Sequence, residues 1–301
     1  MSFYLYNNAK PTPLPDFQPS DTLNNPALYH PSEALQYAVN VALSLGQPLL
    51  LTGEPGTGKT QLAFHIAHYF GLEKPLLFTA QTTSTARDLF YTYDALGHFQ
   101  YNQNNKQALT TQEVEKRFIR YNALGEAIQR KSRLVVLIDE IDKAPRDFPN
   151  DLLYMLEELR FEVPEVSKVY EGEPTKRPII IITSNSEKSL PDAFMRRVVF
   201  HHIEFPEESQ LLQILSEKTE QISREELELI VSHFFKIRRK ELSKKPSTAE
   251  LIYWALLLQR INFPINKLGE SMTASQRSLL MSTYGVLTKN KDDLSLLEQL
   301  I

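Results

Sequence analysis

The chain has 301 residues, 42% hydrophobic and 23% charged, a balance that supports folding and leaves room for two domains. A formal net charge of −4 argues against chain-wide attraction to nucleic acid or an anionic membrane. The lack of cysteine excludes disulfides, thiolate metal sites and a cysteine nucleophile, and it suits a reducing compartment, so the cytoplasm is the expected location.

Residues 1–30 are rich in Pro and Asn and show little periodicity, which predicts an extended arm lying over the core. The start of the chain lacks a basic segment followed by an apolar run. Nowhere does the chain approach the roughly 18 consecutive apolar residues of a spanning helix, so a soluble, unprocessed protein without membrane insertion is expected. Helical signal begins after Pro31. From there apolar runs at 49–52, 75–79, 134–138, 179–183 and 198–203 alternate with amphipathic stretches. Strands of that kind separated by helices indicate a parallel sheet covered on both faces, an α/β core over 31–205. Beyond Pro206 the strand signal ends. Segments 211–215, 227–235, 251–258 and 294–300 repeat apolar residues at helical spacing, which predicts a smaller all-helical lid domain over 206–301.

Between the first apolar run and a helix carrying Leu62, Ile66 and Phe70 lies Gly53-Glu54-Pro55-Gly56-Thr57-Gly58-Lys59-Thr60. It fits the pattern G-x-x-x-x-G-K-[ST] in the strand–loop–helix setting that pattern needs. The glycines let backbone N–H groups curl around phosphate oxygens, and the helix that follows points its positive end at the same anion. Lys59 is placed to reach the β and γ phosphates of ATP. Thr60 is placed to put its hydroxyl on Mg²⁺, which binds through few protein ligands and keeps several waters. On the same helix His65 and His68 have a spacing that could hold a metal. Nothing near them in sequence completes a ligand set, and surface or packing histidines are the favoured reading.

The third apolar run ends in Asp139-Glu140. In a P-loop NTPase the first carboxylate orients the metal's water shell, and the second accepts the proton of the attacking water or aligns it. An apolar run followed by two acids is a weak signal alone, and Asp142 could simply cap the next turn. With the phosphate loop upstream, the two motifs complete each other in one site.

Four segments in this order resemble the MoxR family of AAA+ ATPases: residues 48–56, Ser84-Thr85-Ala86-Arg87-Asp88-Leu89-Phe90, residues 138–144, and Leu190-Pro191-Asp192-Ala193-Phe194. The resemblance runs from about Pro31 into the helical region. It implies an αβα P-loop core, ATP and Mg²⁺ as cofactors, and a homo-oligomeric, hexameric ring. It further implies a protein client, with a von Willebrand A domain protein as one such partner. It identifies Asn185, after the run 179–183, with sensor 1, the alternative being a turn-forming Asn at a strand end. Arg197, and second Arg196, match the arginine finger that reaches a neighbouring subunit's nucleotide; the alternative is a surface arginine pair. A hairpin inserted near residues 93–104 would make Phe99 and Tyr101 pore-facing, unless they pack locally. Residues 161–177 suggest a strand and a long loop.

One position departs from the family. A sensor 2 arginine is expected just after a proline in the helical region, and here Pro246 is followed by Ser247-Thr248-Ala249. Lys245 and Arg239 lie nearby without a supporting motif. The basic run Lys236, Arg238, Arg239, Lys240, Lys244 and Lys245 reads as a solvated or subunit-facing helix face. Residues 26–29 could cover the adenine. Two other functions stay open at this level: a nucleic-acid translocase or loader, which the acidic balance weakens, and a nucleotide-gated scaffold, against which the intact acidic pair argues.

Overall fold

The computed structural model describes residues 25–105, 108–130, 132–185, 190–219, 221–268, 270–298 and 300. Most of the expected arm, residues 1–24, lies outside them. The chain forms two compact units. One comprises residues of Pro31–Gly53 and Gly58–Ile203; the other comprises the described residues up to His30, Glu54–Thr57 and those of Glu204–Ile301, so that the tip of the phosphate loop groups with the helical residues.

In the α/β unit, Ser32 caps α1 (Glu33–Leu45) by accepting from the Leu35 N–H, and Gly46 ends it at φ 63°. The chain turns there into β1 (Leu49–Gly53), and α2 (Lys59–Tyr69) and β2 (Leu76–Thr79) follow. After an inserted segment come α5 (Ala123–Gln129), β5 (Val135–Asp139), α6 (Phe148–Glu158), β8 (Ile179–Thr183), α7 (Asp192–Met195) and β9 (Val199–Ile203). The five strands form one parallel sheet in the order β2-β5-β8-β1-β9. Every apolar run expected to be a strand is in it. Leu49, Leu50, Leu51 and residues Val135 to Ile138 are fully buried, as the inner strands of a sheet covered on both faces must be. On α2 the buried residues Leu62, Ala63, Ile66 and Ala67 recur at helical spacing and give that helix one inward face.

The insert between β2 and α5 differs from expectation. Residues 93–104 do not form a hairpin: α3 (Ala95–Asn104) is helical, with the Asp94 carboxylate accepting from the Gly97 N–H at 2.8 Å as its cap. The two-stranded ribbon lies outside it, β3 (Tyr91–Tyr93) pairing antiparallel with β4 (Ile119–Tyr121), and α4 (Thr111–Phe118) also falls between them. Of the two aromatics on α3, Phe99 is 59% exposed. Tyr101 packs locally, edge-on to Phe118 and under the Arg117 guanidinium at 5.1 Å. Residues 161–177 form more than one strand and a loop: β6 (Arg160–Val163) and β7 (Lys168–Glu171) make an antiparallel hairpin. Its ring stack of Phe161 and Tyr170 meets Tyr121, and Glu115 of α4 accepts from Lys168, Tyr121 and Tyr170.

The helical unit contains α8 (Glu208–Lys218), α9 (Arg224–Arg238), α10 (Thr248–Arg260), α11 (Ala274–Thr283) and α12 (Lys291–Glu298). The first four each begin with a reciprocal cap: Glu207 with Gln210, Ser223 with Glu226, Ser247 with Glu250, Thr273 with Gln276. At its centre the buried His233 imidazole sits 2.5 Å from the Tyr284 hydroxyl and stacks on Trp254, whose indole N–H donates to Thr283. Burial lowers the His233 pKa to about 4, the Lys236 charge adding to the effect. The basic run is not uniformly solvated, because Arg238 turns inward and is 8% exposed. Among the described residues no helix is long and apolar enough to cross a membrane.

Candidate functional site

The carboxyl ends of β1, β5 and β8 bring the two sequence motifs together, at the edge of the sheet where open α/β folds bind ligands. Out of β1 the chain passes Gly53 at φ 141°, Gly56 at φ 79° and Gly58 at φ 90°. Such dihedrals are open to glycine and costly for other residues. The Thr57 hydroxyl closes the tip by donating to the Glu54 carbonyl at 2.9 Å. Gly58 then opens α2 with no side-chain cap, so the positive end of the helix dipole faces the loop. Lys59 is 7% exposed and its ammonium donates to the Gly53 carbonyl at 2.8 Å, which holds the cation under the loop.

The acidic strand end meets this loop directly. The Thr60 hydroxyl lies 3.1 Å from Asp139 Oδ1. The same carboxylate oxygen accepts from the Thr183 hydroxyl at 2.5 Å, and Thr183 in turn accepts from the Glu140 N–H at 3.0 Å. Thr183 is 1% exposed, and the parallel register of β5 with β8, Ile138 opposite Ile182, puts it at the level of Asp139. The sequence singled out Asn185 and passed over Thr183, two residues before it. Asn185 is exposed, and the contact that places it is its backbone N–H donating to Asp142 at 3.1 Å. The signal for Thr183 was a hydroxyl ending an apolar strand, which gains meaning only once the pairing of β8 with β5 is known.

Glu140 adopts φ 58°, ψ 47°, a left-handed conformation costing a non-glycine residue about 1–2 kcal/mol. The Thr183 hydrogen bond to its N–H helps hold it there. Its carboxylate, 30% exposed, is paired with the Lys143 ammonium at 2.6 Å. The hydrogen bond to Glu140 is the main cause that raises the Lys143 pKa. Arg196 and Arg197 follow α7 and are both exposed; Arg197 Nε is 3.3 Å from Glu157. The structure brings neither arginine into hydrogen-bond contact with the phosphate loop or the acidic pair. His65 stands beside Tyr69, and among the described residues no cluster of His, Asp and Glu suits a metal ion by itself. At the position where the family places an arginine after proline, Ser247 caps α10. A side chain added at Gly56 would come within 2.5 Å of the Ser247 Cβ.

Residues 48–198, half of the chain, match the AAA domain of the dynein-related subfamily. The chain belongs to this family. An AAA domain implies nucleotide binding, and the loop of positive-φ glycines, the buried lysine and the threonine touching the acidic strand end all lie within the matched residues. Among solved structures, the FIGL-1 AAA domain in complex with ADP aligns at 16% identity over 89% of this chain and 87% of that one, with a TM-score of 0.47. The Thermotoga maritima RuvB Holliday junction branch migration motor aligns at 14% identity over 84% of this chain and 67% of its own, with a TM-score of 0.45. No curated protein matches the chain.

Proposed function

We propose that this AAA domain protein is a MoxR-like ATPase that hydrolyses ATP with Mg²⁺ in a homo-oligomeric ring, six-membered by family resemblance, to remodel a protein partner. The observation that carries the ATPase reading is the 3.1 Å approach of the Thr60 hydroxyl to Asp139, which joins the phosphate loop to the acidic strand end. The donor set fits the metal: a hydroxyl and a carboxylate, both hard oxygen ligands, with no nitrogen or sulfur between them. When bound, Mg²⁺ would neutralise phosphate charge and favour attack on the γ phosphorus.

The protein's own residues do the rest. The loop N–H groups between the positive-φ glycines hold phosphate oxygens, and Lys59 exchanges its bond to the Gly53 carbonyl for the β and γ phosphates. Asp139, fixed by Thr183, keeps one direction for its second oxygen. Glu140 exchanges Lys143 for the attacking water and takes its proton. Arg197, exposed at the surface beside Glu157, is available to serve as the finger of a neighbouring copy. Asn185 stands at the same strand end as Thr183 and serves as sensor 1 by donating its amide to the γ-phosphate or the water. The protein client, with a von Willebrand A domain protein as the first one to test, rests on the family resemblance.

The reading is tested by steady-state ATP turnover of the wild type and of Glu140→Gln. The wild type is expected to release phosphate. The variant should bind ATP with unchanged affinity and turn it over about 10²-fold or more slowly, within the range for loss of a positioned general base. Equal turnover in the two proteins would reject Glu140 in this role.

A further inference from the structure

Pro246 is followed by Ser247 and not by a lid arginine, yet an arginine elsewhere in the helical unit reaches Glu54 of the loop tip. Arg238, in the last turn of α9, is 8% exposed, whereas a cation without partners would keep its head in water. Its guanidinium lies over the Phe205 ring at 3.4 Å. One nitrogen donates to the Pro246 carbonyl, and another donates to the Glu54 carboxylate at 2.7 Å. Glu54 is the second residue of the phosphate loop. The Pro246 carbonyl immediately precedes Ser247, the residue packed against Gly56. A single guanidinium therefore joins Glu54 of the loop tip to the carbonyl before Ser247, the neighbour of Gly56, and Glu54–Thr57 belongs to the same unit as Arg238.

We propose that Arg238 is a positioning residue for nucleotide binding: it clamps the loop tip through Glu54 and Pro246 and neutralises the Glu54 carboxylate beside the phosphates. This rests on the nucleotide reading above. Two physical effects follow from one contact. Fixing the tip before nucleotide arrives removes its backbone ordering from the binding step. Cancelling the Glu54 charge removes the repulsion that a bare carboxylate would exert on a polyanion. Lysine is a poor substitute, because a point charge cannot serve a carboxylate and a carbonyl in one plane while stacking on Phe205.

The test is calorimetry with ATP and Mg²⁺ on wild type, Arg238→Gln, Arg238→Lys and the double variant Arg238→Gln/Glu54→Gln, with circular dichroism as a folding check. Arg238→Gln is expected to weaken ATP binding about ten-fold or more, with Arg238→Lys in between. Adding Glu54→Gln to Arg238→Gln should recover part of the loss, since it removes the carboxylate charge near the phosphates; a merely structural role would make the double variant no better than the single. Affinity within two-fold of wild type in Arg238→Gln, or a double variant no better than Arg238→Gln, overturns the proposal. Absence of ATP binding by the wild type is a different result and defeats the nucleotide reading itself. Should Arg238→Gln fail to fold, Glu54→Gln alone, at a side chain 48% exposed, carries the test by amide exchange of the nucleotide-free loop. Faster exchange at residues 54–57 is expected, and unchanged exchange overturns the clamp.

Discussion

Thr183→Val removes one oxygen from the centre of the site and leaves its shape intact. In the native protein that hydroxyl donates to Asp139 at 2.5 Å and accepts from the Glu140 N–H at 3.0 Å. Valine fills the same volume in a side chain 1% exposed, so no cavity opens. What changes is bonding. A hydrogen bond to a carboxylate contributes about 1.5–3 kcal/mol and an orphaned N–H costs about 1–3 kcal/mol. Asp139 is only half-buried, so water recovers part of the first, and a net loss of about 2–4 kcal/mol is expected. The urea midpoint read by circular dichroism should fall accordingly. Turnover should fall too, by about ten- to hundred-fold, because Asp139 and the left-handed Glu140 both lose the group that orients them. Thr183→Ser keeps the hydroxyl and should restore most of both. A Thr183→Val protein with wild-type stability and wild-type turnover would refute the reasoning.

Two further expectations concern other parts of the molecule. Arg197→Ala should bind ATP as the wild type does and lose turnover, and mixing it with Glu140→Gln subunits should restore partial activity if Arg197 acts across a subunit boundary; no recovery on mixing would count against a shared site. The buried His233 gives the helical unit a pH dependence with a definite sign. Its folded pKa, about 4, lies below the unfolded value near 6.5, so only the unfolded chain takes up the proton between those values. Stability is complete above about pH 6.5 and falls towards pH 4, by up to about 1.4 kcal/mol per pH unit from this residue. Urea unfolding followed by the fluorescence of Trp254, the single tryptophan, measures it, and His233→Gln should flatten the slope between pH 6.5 and 5. An equal slope in both proteins would place the proton uptake elsewhere.

What could be read from the chain alone follows from how local each signal is. The inner strands were legible because parallel strands buried on both faces must be continuously apolar, and residues 134–138 and 179–182 are. The phosphate loop was legible because its glycines, lysine and threonine act within eight consecutive residues. Features that depend on pairing distant segments were not. Thr183 matters through the register of β8 with β5, and Arg238 through a loop far from it in sequence. In a basic run the default for each cation is solvent, and nothing local marked the one that stacks on Phe205. The insert was misread for a related reason. Residues 95–104 have no clear apolar stripe, so the resemblance to a hairpin-bearing family outweighed the Asp94 cap that starts a helix there.

The proposed function requires one site that grips a triphosphate through Lys59 and the glycine loop while Thr60 and Asp139 face its metal. Calorimetric titration of ATP with Mg²⁺ into the wild type and into Lys59→Ala tests this most directly. A saturable heat in the wild type that disappears in the folded variant is the predicted result. No heat in the wild type, or the same affinity in both proteins, would contradict it.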